Sequence, residues 1–543
     1  MKKISMMILS AAALLTTACS SSDELQQQTA QTGNGWSEYI TVEAGTPGGA
    51  DASAQGSRRV AVDTSNPQKS LWEDGDQLTV WAGSTCSAEN MSEKGFTLIS
   101  GGGTGTGKFS GRLTSATPPT NETKLIAVID KENDAIDASA GNIVSANLSE
   151  QQSATAETAL DYELYWAEST NATRNFTFTH KMSLIKWTIK VNGASNNDKC
   201  DIVLSGTGLK NAATLDPATG NLTVGSEDGT ITLKDVILTD AASTVLYVVL
   251  PPCTVSSGIK AKLTMTSGDK QGQIAIGNLG DGNAITLAEN KYYTAGPNEF
   301  TLRDDVVDLG LPSGTLWAKR NVGASKPEEY GDYFAWGETT GYGSDTSDGR
   351  SFDWASYKWM ASGQSSSNYI TKYTFADGQT DASWYDNDTF IGDGKTVLES
   401  ADDAATANWG SAWKMPTRAQ WRELESNCYW VWTTSYNETD VKGMIVYKAK
   451  DEAHKGKHKY STSGEDEDFT SSYSLADPHI FLPAAGYRSD SGLGGQGSYG
   501  YFWSSELSSN FSYNAGILLF SSGVVAPDNY RFRGRSVRPV LVQ

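Results

Sequence analysis

Residues 185–191 alternate between apolar and polar without a break: Ile185, Trp187, Ile189 and Val191 against Lys186, Thr188 and Lys190. A period of two sends one set to each face of an extended chain, so this segment reads as a strand with one buried face. Short apolar runs recur at 77–81, 124–129 and 244–250, punctuated by glycine- and asparagine-rich stretches at 102–107, 195–197 and 225–229. No long helical period competes with them between Val60 and about Phe300. Short strands without helices point to sheets packed face to face as β-sandwiches, and a division near 195 gives two domains of ordinary size.

The amino terminus is of another kind. Lys2 and Lys3 precede a short apolar run at 4–15, then Ala18, Cys19, three serines, Asp23 and Glu24. A charged start, a short apolar stretch and small residues before a cut describe a secretory signal, not a membrane span. Cys19 directly after those small residues makes the segment resemble a bacterial lipoprotein signal. The resemblance implies removal of residues 1–18 and lipidation of Cys19; ordinary secretion after Ala18 is the other reading. The Ser-Ser-Ser-Asp-Glu stretch resembles signals that send lipoproteins to the outer face of the outer membrane. Residues 19–57 read as a tether, with one strand at 39–42. No later run reaches the ~18–20 apolar residues of a transmembrane helix. A net charge of −21 argues against nucleic acid as a partner, since phosphate needs basic patches. The remaining cysteines, Cys86, Cys200, Cys253 and Cys428, form no C-x-x-C pair; either one Cys200–Cys253 bridge or isolated buried thiols fits them.

From about Val306 tryptophan, tyrosine and glycine rise together. A helix is expected after Pro416, where Thr417 and Gln420 fit a capping box and Trp421, Leu424 and Cys428 share one face. Short strands are expected at 479–482, 501–504, 517–521 and 536–542, an α+β pattern. The charged run 451–469 reads as a solvated loop. His454 and His458 stand four apart, but Gly456 and the flanking lysines disfavour both a helix and a cation, so no metal and no cofactor are expected.

The middle zone resembles the fimbrillin family, subunits of lipoprotein-derived type V pili. The resemblance is carried by Leu71-Trp72-Glu73-Asp74-Gly75-Asp76, a turn at Lys108-Phe109-Ser110-Gly111, and residues 176–184. It implies two transthyretin-like β-sandwiches, at 58–195 and 196–300. It also implies proteolysis after an arginine, placed here at Arg58 and Arg59, which opens a groove for a strand from a stalk or adaptor subunit. Exposed amides and an apolar groove are what such a strand repairs.

Residues 301–543 resemble the domains related to C-type lectins and to the formylglycine-generating enzyme. The motifs include Tyr330-Gly331-Asp332-Tyr333-Phe334-Ala335-Trp336-Gly337, Trp413-Lys414-Met415-Pro416-Thr417, Leu482-Pro483-Ala484-Ala485-Gly486-Tyr487, Trp503-Ser504-Ser505 and Gly534-Arg535-Ser536-Val537-Arg538-Pro539-Val540. Trp336, Trp413, Trp503 and Arg538 read as scaffold. Cys428, on the apolar helix face, reads as core and not as nucleophile, so no enzyme is expected. Tyr, Ser, Asn and Arg gather at 498–502, 508–514 and 528–533, a composition that favours recognition loops. The expected ligand-binding residues are Tyr499, Tyr501, Asn510, Phe511, Tyr513, Asn514, Asp528, Asn529, Tyr530 and Arg533. This tail is also similar to the variable region of retroelement-diversified proteins.

The expected whole is an outer-membrane lipoprotein adhesin that becomes a type V pilus tip after processing. Residues 536–543 suit a strand inside the last domain, so the subunit accepts a strand without donating one. The alternative is a stand-alone surface glycan-binding lipoprotein. The ligand class, glycan or protein, stays open.

Overall fold

The computed structural model describes residues 36–45, 61–62, 70–72, 75–92, 95–129, 136–137, 143–375, 390–460, 467–521, 524–525 and 527–542. Cys19, Arg58 and Arg59 lie outside them. The chain divides into two compact units, Met1–Leu302 and Arg303–Gln543.

The first unit is built almost wholly of strands. Its largest sheet has eight, in the order Asn175–Thr177, Trp36–Gly45, Thr106–Ser115, Phe96–Ser100, Gln77–Ala82, Lys124–Ile129, Tyr165–Thr170 and Thr179–His180. The two outermost strands are separated in the chain only by Phe178, so the sheet curls until one segment supplies both edges. Phe176, Phe178, Phe109 and Trp72 are buried within the curl. Trp72 meets Phe109 edge-on at 4.7 Å and donates its indole N–H to Ala44 O at 2.8 Å.

Strands Gln77–Ala82 and Lys124–Ile129 are buried on both faces. Leu78, Val80, Leu125 and Ala127 face the curled core, whereas Trp81, Ile126 and Val128 join a second core. Burial on both sides explains the unbroken apolar runs at these positions, where a half-buried strand would alternate. That second core lies between a five-stranded sheet and a three-stranded one, Thr244–Leu250, Ser183–Asn192 and Lys291–Thr301. Trp187, at the centre of the alternating strand, meets Phe300 at 5.8 Å.

In the first unit three expectations change. Strand Ser183–Asn192 precedes the division at 195 but pairs with Thr244–Leu250 and Lys291–Thr301, both from the segment after it. The tether expected at 19–57 contains the ten-residue strand Trp36–Gly45, in register with Thr106–Ser115 along its whole length and burying Ile40, Val42 and Ala44. The Lys108-Phe109-Ser110-Gly111 segment is the middle of that partner strand, not a turn. Gly111 is there for close approach: a Cβ would come within 2.8 Å of the Phe96 ring.

Among its described residues the second unit mixes short strands with two α-helices, Ala404–Trp409 and Arg418–Asn427. The longer helix starts as its sequence prescribes: Thr417 accepts from the Gln420 amide, and Gln420 reaches back to the Thr417 amide at 2.9 Å. Trp421 and Leu424 are buried, with Trp421 4.6 Å from Trp317 and 6.0 Å from Phe502. Around it lie the sheets Val306–Asp308, Leu316–Ala318, Val540–Leu541 and Trp413–Lys414, and His458–Lys459, Cys428–Thr433, Gly443–Lys448 and His479–Pro483. A third joins Gly500–Leu507, Asn514–Phe520 and Val524–Val525, with Asp528–Tyr530 also on Asn514–Phe520. Segment 451–469 is not simply solvated: His454 is buried against Phe469 at 4.2 Å and bonded to the Tyr473 hydroxyl at 3.1 Å. Among the described residues Cys200, Cys253 and Cys428 are free thiols, so no Cys200–Cys253 bridge forms.

Candidate binding surface

The segments 498–502, 508–514 and 528–533 meet on the sheet of Gly500–Leu507 and Asn514–Phe520. Asp528–Tyr530 pairs with the start of the latter strand, placing Asn514 opposite Tyr530 and Gly516 opposite Asp528. The turn before Asn514 and the segment after Tyr530 therefore end side by side.

Their rings form a continuous ribbon. Phe511 stacks on Tyr513 at 5.2 Å, Tyr513 meets Tyr530 at 6.0 Å, and Tyr530 stacks on Phe532 at 5.6 Å. Trp354 closes on Phe532 at 4.8 Å. Arg533 lies over Tyr530 at 5.6 Å and over Tyr487 at 5.5 Å. Tyr487 continues the ribbon to Tyr501 at 5.4 Å, and Tyr501 to Tyr499 at 6.0 Å. Phe511, Tyr530 and Tyr499 are 43 %, 42 % and 41 % exposed. Large rings kept at the surface by a rigid sheet offer apolar area with a polar edge at little entropic cost.

The polar residues divide by role. Asp528 pairs with Arg418 and accepts from Ser508 Oγ at 2.6 Å. Ser508 Oγ in turn accepts from the amides of Asn510 at 3.1 Å and Phe511 at 3.2 Å. Asp528 thus clamps the turn that presents Phe511. Asn529 Oδ1 accepts from the Tyr530 amide at 2.9 Å, Asn510 is exposed, and Asn514 Oδ1 is buried without a partner among the described residues. All ten expected residues lie on or beside this ribbon. Trp354, Tyr487 and Phe532 were missed: Tyr487 sits in a scaffold motif and Phe532 within the segment 528–533 already singled out, while Trp354 stands in an aromatic-rich run, Phe352, Trp354, Tyr357 and Trp359, that was a usable signal.

Beneath the surface, charge is buried with care. Arg531 is fully enclosed: Nε donates to the Tyr357 hydroxyl at 2.9 Å, one terminal nitrogen to Tyr373 O at 2.8 Å and Ser512 O at 2.9 Å, and the other to Lys372 O at 2.9 Å. Arg538 donates to Asn321 Oδ1 at 2.9 Å and Phe481 O at 2.7 Å. Trp336, Trp413 and Trp503 are buried. Cys428 is buried too, and burial pushes its thiol up, away from the thiolate a nucleophile needs. Among the described residues no group of three or more His, Cys, Asp or Glu side chains could hold a metal ion.

No curated protein matches the chain. Among solved structures, the tip fimbrial protein Mfa3 from Porphyromonas gingivalis with C-terminal truncation is 12% identical, over 49% of this chain and 98% of that one, at a TM-score of 0.26. A fimbrial protein from Bacteroides vulgatus is 12% identical over 42% and 92%, at 0.21. A candidate cell adhesion protein from Bacteroides uniformis is 18% identical over 49% and 96%, at 0.30. Residues 59–296 match the model of the fimbrillin-like family.

Proposed function

We propose that this protein is a surface adhesin, the tip subunit of a type V pilus, whose C-terminal unit binds its ligand through the aromatic ribbon on a C-type-lectin-like scaffold. The ribbon carries this reading: Phe511, Tyr513, Tyr530, Phe532 and Trp354 on one side and Tyr487, Tyr501 and Tyr499 on the other, bridged by Arg533. The positions that resemble retroelement-diversified ones, including Tyr499, Tyr501 and Tyr530, fall along it, so sequence change there would alter the ligand and spare the core. Exposed rings can be cut back cheaply. Phe511→Ser with Tyr530→Ser should change stability by less than about 1 kcal/mol yet reduce adhesion of expressing cells to their target at least about tenfold, as expected of anchors at an interface centre. Undiminished adhesion by the double variant would refute the ribbon as the binding surface.

Assembly follows from the first unit. Proteolysis after Arg59 would release the segment containing Trp36–Gly45, leaving Thr106–Ser115 without its partner and an apolar groove where Ile40, Val42 and Ala44 had been. A strand from a stalk or adaptor subunit would fill it. Mass spectrometry of the surface protein should find Val60 as mature N-terminus, and Arg58→Ala with Arg59→Ala should leave a longer chain excluded from pili. A lipidated Cys19 retained on the mature protein would instead identify a stand-alone surface lipoprotein.

A further inference from the structure

The C-terminal unit buries the side chains of Arg488, Arg531, Arg535 and Arg538 completely. Three are anchored by hydrogen bonds: Arg531 and Arg538 as described, and Arg488 by a two-pronged pairing with Asp348 at 2.5 and 2.9 Å. Arg535 is the exception. Its Nε and both terminal nitrogens are buried, and none has a hydrogen-bond partner among the described residues. Rings enclose it instead, Tyr501 at 4.1 Å, Trp503 at 5.4 Å and Tyr487 at 5.5 Å. The Tyr487 ring carries a second cation on it, Arg533 at 5.5 Å, whose Nε is also buried and unpaired. Burial works against the charge on Arg535, the rings offset part of that, and Arg533 adds to the cost.

Ring faces return only part of what desolvating an unpaired cation costs. The balance is left open on the ligand side. The chain has more acidic than basic residues, yet neither Arg533 nor Arg535 forms an ion pair among the described residues. We propose that Arg535 and Arg533 form a binding site for the carboxylate of an acidic sugar, whose ring rests on Tyr499 and Tyr501. The proposal rests on the ribbon as the ligand surface and names the chemistry one end of it takes.

Carboxylate fits because a planar two-oxygen acceptor matches the guanidinium fork. A sugar fits because Tyr499 and Tyr501 lie near-parallel, 30° apart, and offer apolar ring area with hydroxyls at its edge, next to the cations. The loop behind them is shaped for those rings: a Cβ at Gly495, where φ is +69°, would come within 2.9 Å of Tyr499. Tyr501 is the cover over Arg535. It is only half-buried, and rotation of such a ring takes far less time than binding. The net charge of −21 opposes an acidic partner at long range, but salt screens that field within about 8 Å, whereas the buried site is barely screened.

The test titrates the full chain, by calorimetry and ligand-observed NMR, with glucuronic acid, its methyl ester and glucose. Glucuronate should bind at least about tenfold more tightly than the ester. Arg535→Met should erase that preference, and Arg535→Lys should restore only part of it, because an ammonium cannot pair with both oxygens. If Arg535→Met fails to fold, Arg533→Gln at the half-exposed partner serves, and should weaken the preference about threefold. Equal binding of acid and ester, no binding of either, or a preference unchanged by substitution of these arginines would overturn the site. Binding of a glutamate-rich peptide but not of glucuronate would overturn the sugar. Loss of adhesion in the Phe511/Tyr530 variant alongside equal binding of acid and ester sinks this proposal and leaves the ribbon. Acid preference with unaltered adhesion supports the site and sinks the ribbon.

Discussion

Arg531→Met will lower the unfolding free energy of the C-terminal unit by about 3–5 kcal/mol. The guanidinium is a hub, not a member of an ion pair. It donates to carbonyls of Lys372, Tyr373 and Ser512 and to the Tyr357 hydroxyl, and stacks 4.9 Å from Trp336. Methionine fills much of the volume but leaves those three carbonyls and a hydroxyl without their donor, and a buried polar group without a partner costs about 1–3 kcal/mol. Arg535→Met removes no side-chain hydrogen bond, because the Arg535 guanidinium makes none among the described residues. It also relieves an uncompensated charge, so its effect should stay within about 1 kcal/mol or be stabilising. The two substitutions are chemically identical and four residues apart. Urea unfolding of the full chain, read by hydrogen exchange across 500–540 to isolate this unit, compares them directly. Equal destabilisation would mean that burial alone, and not partner geometry, sets the cost.

What the sequence disclosed was local. The helix start at Thr417 and Gln420 needs only residues three apart, and the strand around Trp187 needs only its own alternation. Reading failed where meaning came from distant partners. Trp36–Gly45 alternates in its second half, Ile40, Val42 and Ala44 inward and Tyr39, Thr41 and Glu43 outward, but the surrounding tether composition hid its length. Gly111 looked like a turn residue because the Phe96 ring that demands a glycine comes from the neighbouring strand. In the candidate surface, composition found the tyrosine-rich segments but not Trp354, whose partners Tyr530 and Phe532 lie in the tail. Nor could it tell that Asp528 is bound to Arg418, 110 residues earlier, and braces the turn that presents Phe511.

Deleting residues 536–543 should unfold the C-terminal unit while leaving the sheets of the first unit folded. The tail is laced through the unit at every step. Ser536 bridges Phe502, Val537 O accepts from the Val322 amide at 3.0 Å, and Pro539 O from the Ala318 amide at 3.0 Å. Val540–Leu541 then lies between Leu316–Ala318 and Trp413–Lys414, in the interior of its sheet. Val537, Arg538, Val540 and Leu541 are all buried. Losing three buried aliphatic side chains at about 1.5–3 kcal/mol each, with the hydrogen bonds of Arg538, removes most of the 5–15 kcal/mol that holds a domain together. This segment therefore cannot peel away to complete a neighbour's groove without destroying the unit that carries the ribbon. Under the tip assignment, protein of this sequence, cleaved after Arg59, should take up a stalk-derived donor peptide and yet form no filaments alone. Electron microscopy of the cleaved protein, with and without stalk subunit, reads the outcome. Filaments from this chain by itself, or a truncated chain that keeps its near-ultraviolet circular dichroism, would show that the tail is free to leave and would remove the ground for placing the subunit at the tip.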